Sequence, residues 1–273
     1  MVVKKILVDF HVHVFPEILA RKVIPELSLK SGVELYSDGT LSDMLKVSQT
    51  AGIEKVVIQP IATKASQVTT INQWMLKIKR ETGMFCFGAL HPDLSEKELE
   101  EQINFLNSHS FKGVKLHPEY QNFYPDEDRL EKIYLRLSQA KLGLLIHSGK
   151  DLSYSPPFKG TPKRILQINK SFPELKLIVA HMGGFLMWEE AEKHLIGKNL
   201  YLDTAFCVKY LSREYFEVLV KAHGSERILW GTDMPWGNPQ KHLDYILKAD
   251  LNSEETNNIL GQNAVDLLAI DKN

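Results

Sequence analysis

The chain predicts a (β/α)8 barrel, and three observations carry that expectation. Eight short runs rich in β-branched and other apolar residues recur along it, near-continuous rather than alternating, which is the pattern of parallel strands covered on both faces. Segments of helical periodicity stand between the runs. From His13, just after the first run, to Asp233 in the eighth is 220 residues, about 31 per strand-to-strand step, which suits eight βα units closing on themselves.

In chain order, KKILVDF is the first strand. Residues 14–39 form an extended loop after it, expected to fold as a helical flap over the mouth, because long loops in compact domains tend to be lids or binding segments. LSDMLKVSQTAG reads as helix, EKVVIQPI as strand, SQVTTINQWMLKIKRETG as helix and MFCFGAL as strand. The alternation continues through SEKELEEQINFLNS, FKGVKLH, EDRLEKIYLRLSQAKLG, LGLLIH, TPKRILQINKSF, LKLIVAH, MWEEAEKHLIG, NLYLDTA, SREYFEVLVKAHG and RILWGTD, and ends in helical NSEETNNILGQNAVDLLAI. Several helices open on a Ser, Thr or Asp cap, and several close on glycine, at Gly52, Gly83, Gly143 and Gly224. An open doubly wound sheet would place a glycine-rich phosphate cradle in its first turn, where this chain has DFHVHVFP. With no linker or low-complexity tract, residues 1–273 are expected to form a single domain.

With 44% apolar residues and a formal net charge of -1, the chain can bury a large core and shows no basic clustering of the kind nucleic acids or membrane surfaces require. A small-molecule substrate is therefore the expected partner, with a homodimer as the base-rate oligomer. MVVKKILVDF is too short and polar for a signal peptide, and Cys86 and Cys207 have no metal or disulfide spacing. A cytoplasmic location is the expectation.

The sequence holds ten histidines, and six of them (His11, His13, His91, His117, His147 and His181) fall at C-terminal ends of predicted strands. In a barrel those ends share the rim that carries the active site. His11 and His13 are two apart on one strand, so their side chains project to the same side and can reach a common ion. The alternative is a pair of hydrogen-bonded histidines in a polar mouth. Together with His147 in LLIHSG and Asp233 in LWGTDMPW they supply three imidazoles and a carboxylate, a set that suits Zn2+ with one position left open. His181 in IVAHMGG is a further ligand or, the favoured reading, a proton-transfer group.

These motifs resemble the amidohydrolase superfamily: DxHxH (Asp9, His11, His13), LHP, HSG, AHMGG and GTDMPW, from the first strand to the C-terminal NILGQNAVDLLAI. The branch they are most similar to is the amidohydrolase-2, or aminocarboxymuconate-semialdehyde-decarboxylase-like, group of metal-dependent hydrolases and decarboxylases. The resemblance implies a mononuclear site, usually zinc, held by His11, His13, His147 and Asp233, with His181 contacting the metal-bound water. Superfamily members with two metals bridge them by a carbamylated lysine, so Lys115 leaves a second metal open; Mn2+ in place of Zn2+ is also left open. Lys115 alternatively pairs with Asp9 or Asp233, or binds an anionic substrate group.

Asp9 is expected to orient a ligand histidine, while His91, His117 and Trp236 are candidates for substrate contact and Asp203 is divided between a turn and a catalytic role. Tyr120, Phe123, Tyr124, Phe158, Phe185, Trp188 and Phe206 hint at a planar ligand, and Lys150, Lys159, Lys163 and Arg164 either meet a carboxylate or form a solvated face. The leading functional expectation is a hydrolase that uses a metal-activated water on a small ester, lactone or amide, with His181 and Asp233 moving protons. Non-oxidative decarboxylation or hydration of a small unsaturated or aromatic carboxylic acid is the alternative, and a non-catalytic metal-binding barrel the remote one.

Overall fold

The computed structural model describes residues 6–269, so Lys4 and Lys5 of the first predicted run and Ile270 of the last lie outside the described residues. The strands are β1 (Val8–Val12), β2 (Lys55–Ile58), β3 (Phe85–Cys86), β4 (Gly88–Ala89), β5 (Gly113–Leu116), β6 (Gly143–Ile146), β7 (Leu177–Val179), β8 (Tyr201–Asp203) and β9 (Ile228–Leu229). The helices are α1 (Glu17–Ser31), α2 (Leu41–Thr50), α3 (Val68–Thr82), α4 (Glu96–Ser108), α5 (Glu131–Gln139), α6 (Pro162–Ser171), α7 (Trp188–His194), α8 (Arg213–His223), α9 (Pro239–Leu247), α10 (Ser253–Asn257) and α11 (Asn263–Leu268). Every predicted run holds a strand, the third divided at Phe87, and α1 lies within the 14–39 excursion.

Local chemistry sets the helix ends. Thr40 and Ser212 accept from the backbone N–H three residues on, and Ser95 with Glu98 and Asn252 with Glu255 form reciprocal capping boxes. Gly83 ends α3 in the left-handed region. Helix α9 was not expected. Its start carries the right signals, an Asn238 side chain accepting from Lys241 N and Pro239 in the first turn, but they follow directly on the Pro- and Gly-rich DMPWGN turn and read as part of it.

The described residues group into two compact units, one formed by the chain up to Ile58 together with Leu202 onward, the other by Gln59–Tyr201. In the second unit β4, β5, β6 and β7 run parallel, with Gly88 opposite Val114, Gly113 opposite Gly143 and Leu144 opposite Leu177. Val114, Leu116, Leu144, Leu145, Ile146, Ile178 and Val179 are all buried, which is why these strands are apolar at successive positions.

In the first unit β1 pairs parallel with β2, and β8 with β9. The other edge of β1 is laced to the segment after β9: Phe10 N donates to Trp230 O at 2.8 Å, Asp233 N to His11 O at 2.8 Å, and His13 N to Met234 O at 2.7 Å. The turn that follows folds back tightly, and a Cβ at Gly237 would stand 1.8 Å from the Thr232 carbonyl oxygen. Gly237→Ala is therefore expected to lower unfolding stability by about 3 kcal/mol, read as a fall in the denaturant midpoint at unchanged slope.

Candidate metal centre

Because side chains alternate along a strand, His11 and His13 of β1 project to one side. Both are buried, and the lacing of β1 to residues 230–234 brings Asp233 beside them. His11 Nε2 is 3.2 Å from His13 Nε2 and 3.5 Å from Asp233 Oδ1, and His13 Nε2 is 3.1 Å from Asp233 Oδ1. Metal–ligand distances of about 2.0–2.1 Å place neighbouring donors of a tetrahedral ion about 3.3–3.4 Å apart. The triangle has that size, and its two imidazoles and one carboxylate are a donor set suited to a divalent transition metal. Asp233 is held with φ +64, in the left-handed region that short acidic side chains tolerate better than most.

Two further carboxylates stand behind these donors. Asp9, fully buried on β1, accepts at Oδ1 from Thr232 N (3.0 Å) and His11 N (3.3 Å) and at Oδ2 from Thr232 Oγ1 (2.6 Å). Burial pushes its carboxyl up to about 7, against the opposing pull of those three donors. Thr232 Oγ1 accepts in turn from Met234 N at 3.1 Å, so Asp9 orders the turn that carries Asp233. Asp203 ends β8 and combines a turn with a contact to the site: its Oδ1 accepts from Ala205 N at 3.0 Å, and its Oδ2 lies 2.8 Å from His11 Nδ1. Trp236 presents an edge to the His13 ring at 5.8 Å.

The remaining candidates belong to the unit of Gln59–Tyr201. His147 Nδ1 and His181 Nε2 are 3.0 Å apart, and His117 stacks on His147 with ring centres 4.1 Å apart and planes 18° from parallel. Tyr120 N donates to His117 Nδ1 at 3.4 Å, which leaves the His117 Nε2–H toward Asp151 Oδ2 at 3.5 Å. His117, His147 and Asp151 have donor atoms within 4.8 Å of one another, the closest approach in this unit to the second metal site left open by the sequence. Stacked rings do not suit one ion, since lone pairs in two nearly parallel planes do not converge on it. His181 has φ +60, in the left-handed region that histidine enters more readily than most residues.

Lys115 is fully buried on β5, between Ala89 and Leu145 in register. His91 is buried in a local turn, accepting at Nδ1 from Asp93 N at 3.2 Å, and burial lowers its pKa. Phe123, Phe185 and Trp188 are packed in the core. Lys159 pairs with Glu119 and Arg164 with Asp126, and both cations lie over the face of Tyr124. Asp151 and Thr232 were not legible in the sequence because no spacing ties them to their partners, His117 and Asp9. For Asp203 the YLDTA strand end was visible and its partner was not.

His242 of α9 also bears on the Asp233 turn, with Nδ1 3.2 Å from Gly231 O. Burial lowers its pKa to about 4, so between about pH 6.5 and pH 4 the unfolded imidazole takes a proton that the folded one refuses. Stability contributed by this group is present above that window and lost as pH falls through it. Urea titrations are expected to show the wild type losing about 2 kcal/mol more than His242→Gln between about pH 7 and pH 5.

The Amidohydrolase (Amidohydro_2) family pattern matches residues 8–270. No curated protein matches the chain at a significant level. Among solved structures it is similar to an uncharacterised TIM-barrel protein from Bordetella bronchiseptica, with TM-score 0.77 and 18% identity over 96% of this chain and 98% of that one. It is similar also to 2,6-dihydroxybenzoate decarboxylase from Rhizobium, with TM-score 0.73 and 18% identity over 98% and 99% of the two chains. A third likeness is to 5-carboxyvanillate decarboxylase from Novosphingobium aromaticivorans, complexed with manganese and 4-hydroxy-3-methoxy-5-nitrobenzoic acid, with TM-score 0.74 and 13% identity over 98% and 97%. At these identities the likeness establishes the fold, a (β/α)8 barrel. With its family pattern running from β1 to the last helix, the chain belongs to the Amidohydro_2 family of amidohydrolases.

Proposed function

We propose that this chain is a metal-dependent decarboxylase of a small unsaturated or aromatic carboxylic acid. The observation that carries the choice of reaction is the likeness, over 98% of the chain, to two enzymes that decarboxylate aromatic acids. It moves the emphasis from the hydrolase expected at first to the alternative. Metal dependence is supported by the triangle of His11 Nε2, His13 Nε2 and Asp233 Oδ1, with Zn2+ the expected ion from the donor set and Mn2+ the second candidate. A bound divalent ion supplies a Lewis acid that fixes and polarises a substrate oxygen.

The chain's own residues supply the rest. His11, His13 and Asp233 hold the ion, and Asp9 keeps the Asp233 turn in place. Decarboxylation replaces a carbon–carboxylate bond by a carbon–hydrogen bond, so a proton must be delivered to carbon. His181 is the group we assign to that step. Its Nε2 lies 3.0 Å from His147 Nδ1, a contact that lets one imidazole hold the other's proton in place. Hydrolysis remains the second reading, favoured by the family pattern alone, and in it His181 acts as the base toward water.

Metal-replete protein incubated with hydroxybenzoates and unsaturated carboxylic acids is expected to release carbon dioxide. Cleavage of lactones or esters without carbon dioxide release would replace this reading by hydrolysis, and inertness toward both sets would leave a metal-binding barrel. His181→Asn is expected to slow turnover about 10²- to 10⁴-fold with metal content intact, whereas His11→Ala, His13→Ala and Asp233→Ala are expected to lose the metal, both read by elemental analysis beside the rate. Full activity in His181→Asn would remove the proton-transfer role.

A further inference from the structure

We propose that Asp203 is a positioning residue that fixes the tautomer of His11 and through it sets the metal affinity of the triad. The inference rests on reading His11, His13 and Asp233 as a metal site, and it adds a fourth residue that touches neither metal nor substrate.

Asp203 is fully buried at the end of β8, opposite Leu229 of β9, where an ionised carboxylate is tolerated only with donors on its oxygens. Ala205 N–H occupies Oδ1 at 3.0 Å and prevents the carboxylate from swinging away. Oδ2 is left facing His11 Nδ1 at 2.8 Å. In the proposed arrangement Asp203 is the acceptor, so the imidazole donates from Nδ1 and keeps its lone pair on Nε2. Nε2 is the atom 3.2 Å from His13 Nε2 and 3.5 Å from Asp233 Oδ1. The other tautomer would aim an N–H into the triangle, where a cation needs a lone pair.

The ring is fully buried, and the main chain that carries it is held from both sides. A Cβ at Gly231 would lie 2.9 Å from His11 Cβ, so the backbone of the eighth predicted strand packs directly on the histidine. On the main chain, His11 N donates to Asp9 Oδ1 at 3.3 Å and His11 O accepts from Asp233 N at 2.8 Å. Asp203 is thus the contact that chooses between tautomers of a ring whose position is already set.

Asp203→Asn tests this with nearly unchanged shape. Its side-chain oxygen can keep the Ala205 N–H while its amide nitrogen meets His11 Nδ1 donor to donor, which drives the histidine proton to Nε2. In metal-free protein labelled with 15N-histidine at about pH 8, long-range 1H–15N spectra should show His11 with its proton on Nδ1 in the wild type and on Nε2 in Asp203→Asn. Competition against a chromophoric chelator should show zinc bound about 10- to 100-fold more weakly by the variant. Asp203→Ala, which removes the acceptor without adding a donor, should fall between. A wild-type His11 protonated on Nε2 overturns the proposal, and that spectrum decides the matter even if Asp203→Asn does not fold. Tight zinc binding that Asp203→Asn leaves unchanged overturns this proposal alone, whereas a wild type that takes up neither zinc nor manganese overturns the metal reading beneath it.

Discussion

The chemistry of this chain depends on the pairing of β1 with the segment that follows β9. Three backbone hydrogen bonds, from Phe10 to Trp230, from Asp233 to His11 and from His13 to Met234, set which residue stands opposite which. Side chains alternate along a strand, so a slip of one residue would turn both histidines away from Asp233. The Asp9 carboxylate reinforces the register from within by joining Thr232 and the His11 backbone. Donor atoms 3.1–3.5 Å apart are the product of that register rather than of attraction between the side chains themselves.

Polar groups buried around the triad serve orientation more than stability. Taking a carboxylate out of water is costly, and buried ion pairs seldom repay the cost in folding free energy. Asp9, Asp203 and His242 are nonetheless buried, and each holds either a ligand candidate or the turn that bears one. A hydrogen bond in such a low-dielectric setting resists reorganisation, which is what a preformed metal site requires. In the second unit the same economy appears in the chain from Asp151 through His117 to the stacked His147 and on to His181. The cations that looked available for a substrate carboxylate, Lys159 and Arg164, are already held by Glu119 and Asp126 across Tyr124.

A divalent ion and a proton-carrying imidazole would serve hydrolysis and decarboxylation alike. In the proposed reaction, delivery to carbon would ask for an imidazole held in one orientation, and His181 Nε2 stands 3.0 Å from His147 Nδ1. Fold alone does not separate the two reactions.

Much of this was legible in the sequence. Continuous apolar runs signalled strands buried on both faces, and the HVH spacing of His11 and His13 signalled two imidazoles on one side of a strand, because periodicity is a local property. The DMPWGN turn hid the start of α9, since Pro and Gly serve turns and helix starts alike. Asp203 could not be paired with His11 across 192 positions, nor Thr232 with Asp9 across 223. Nor could the lysine and arginine after β6 be seen to be occupied. Spacing along the chain determines which side chains share a face of one element. Which atom of one element meets an atom of another depends on packing, and only the folded backbone decides it.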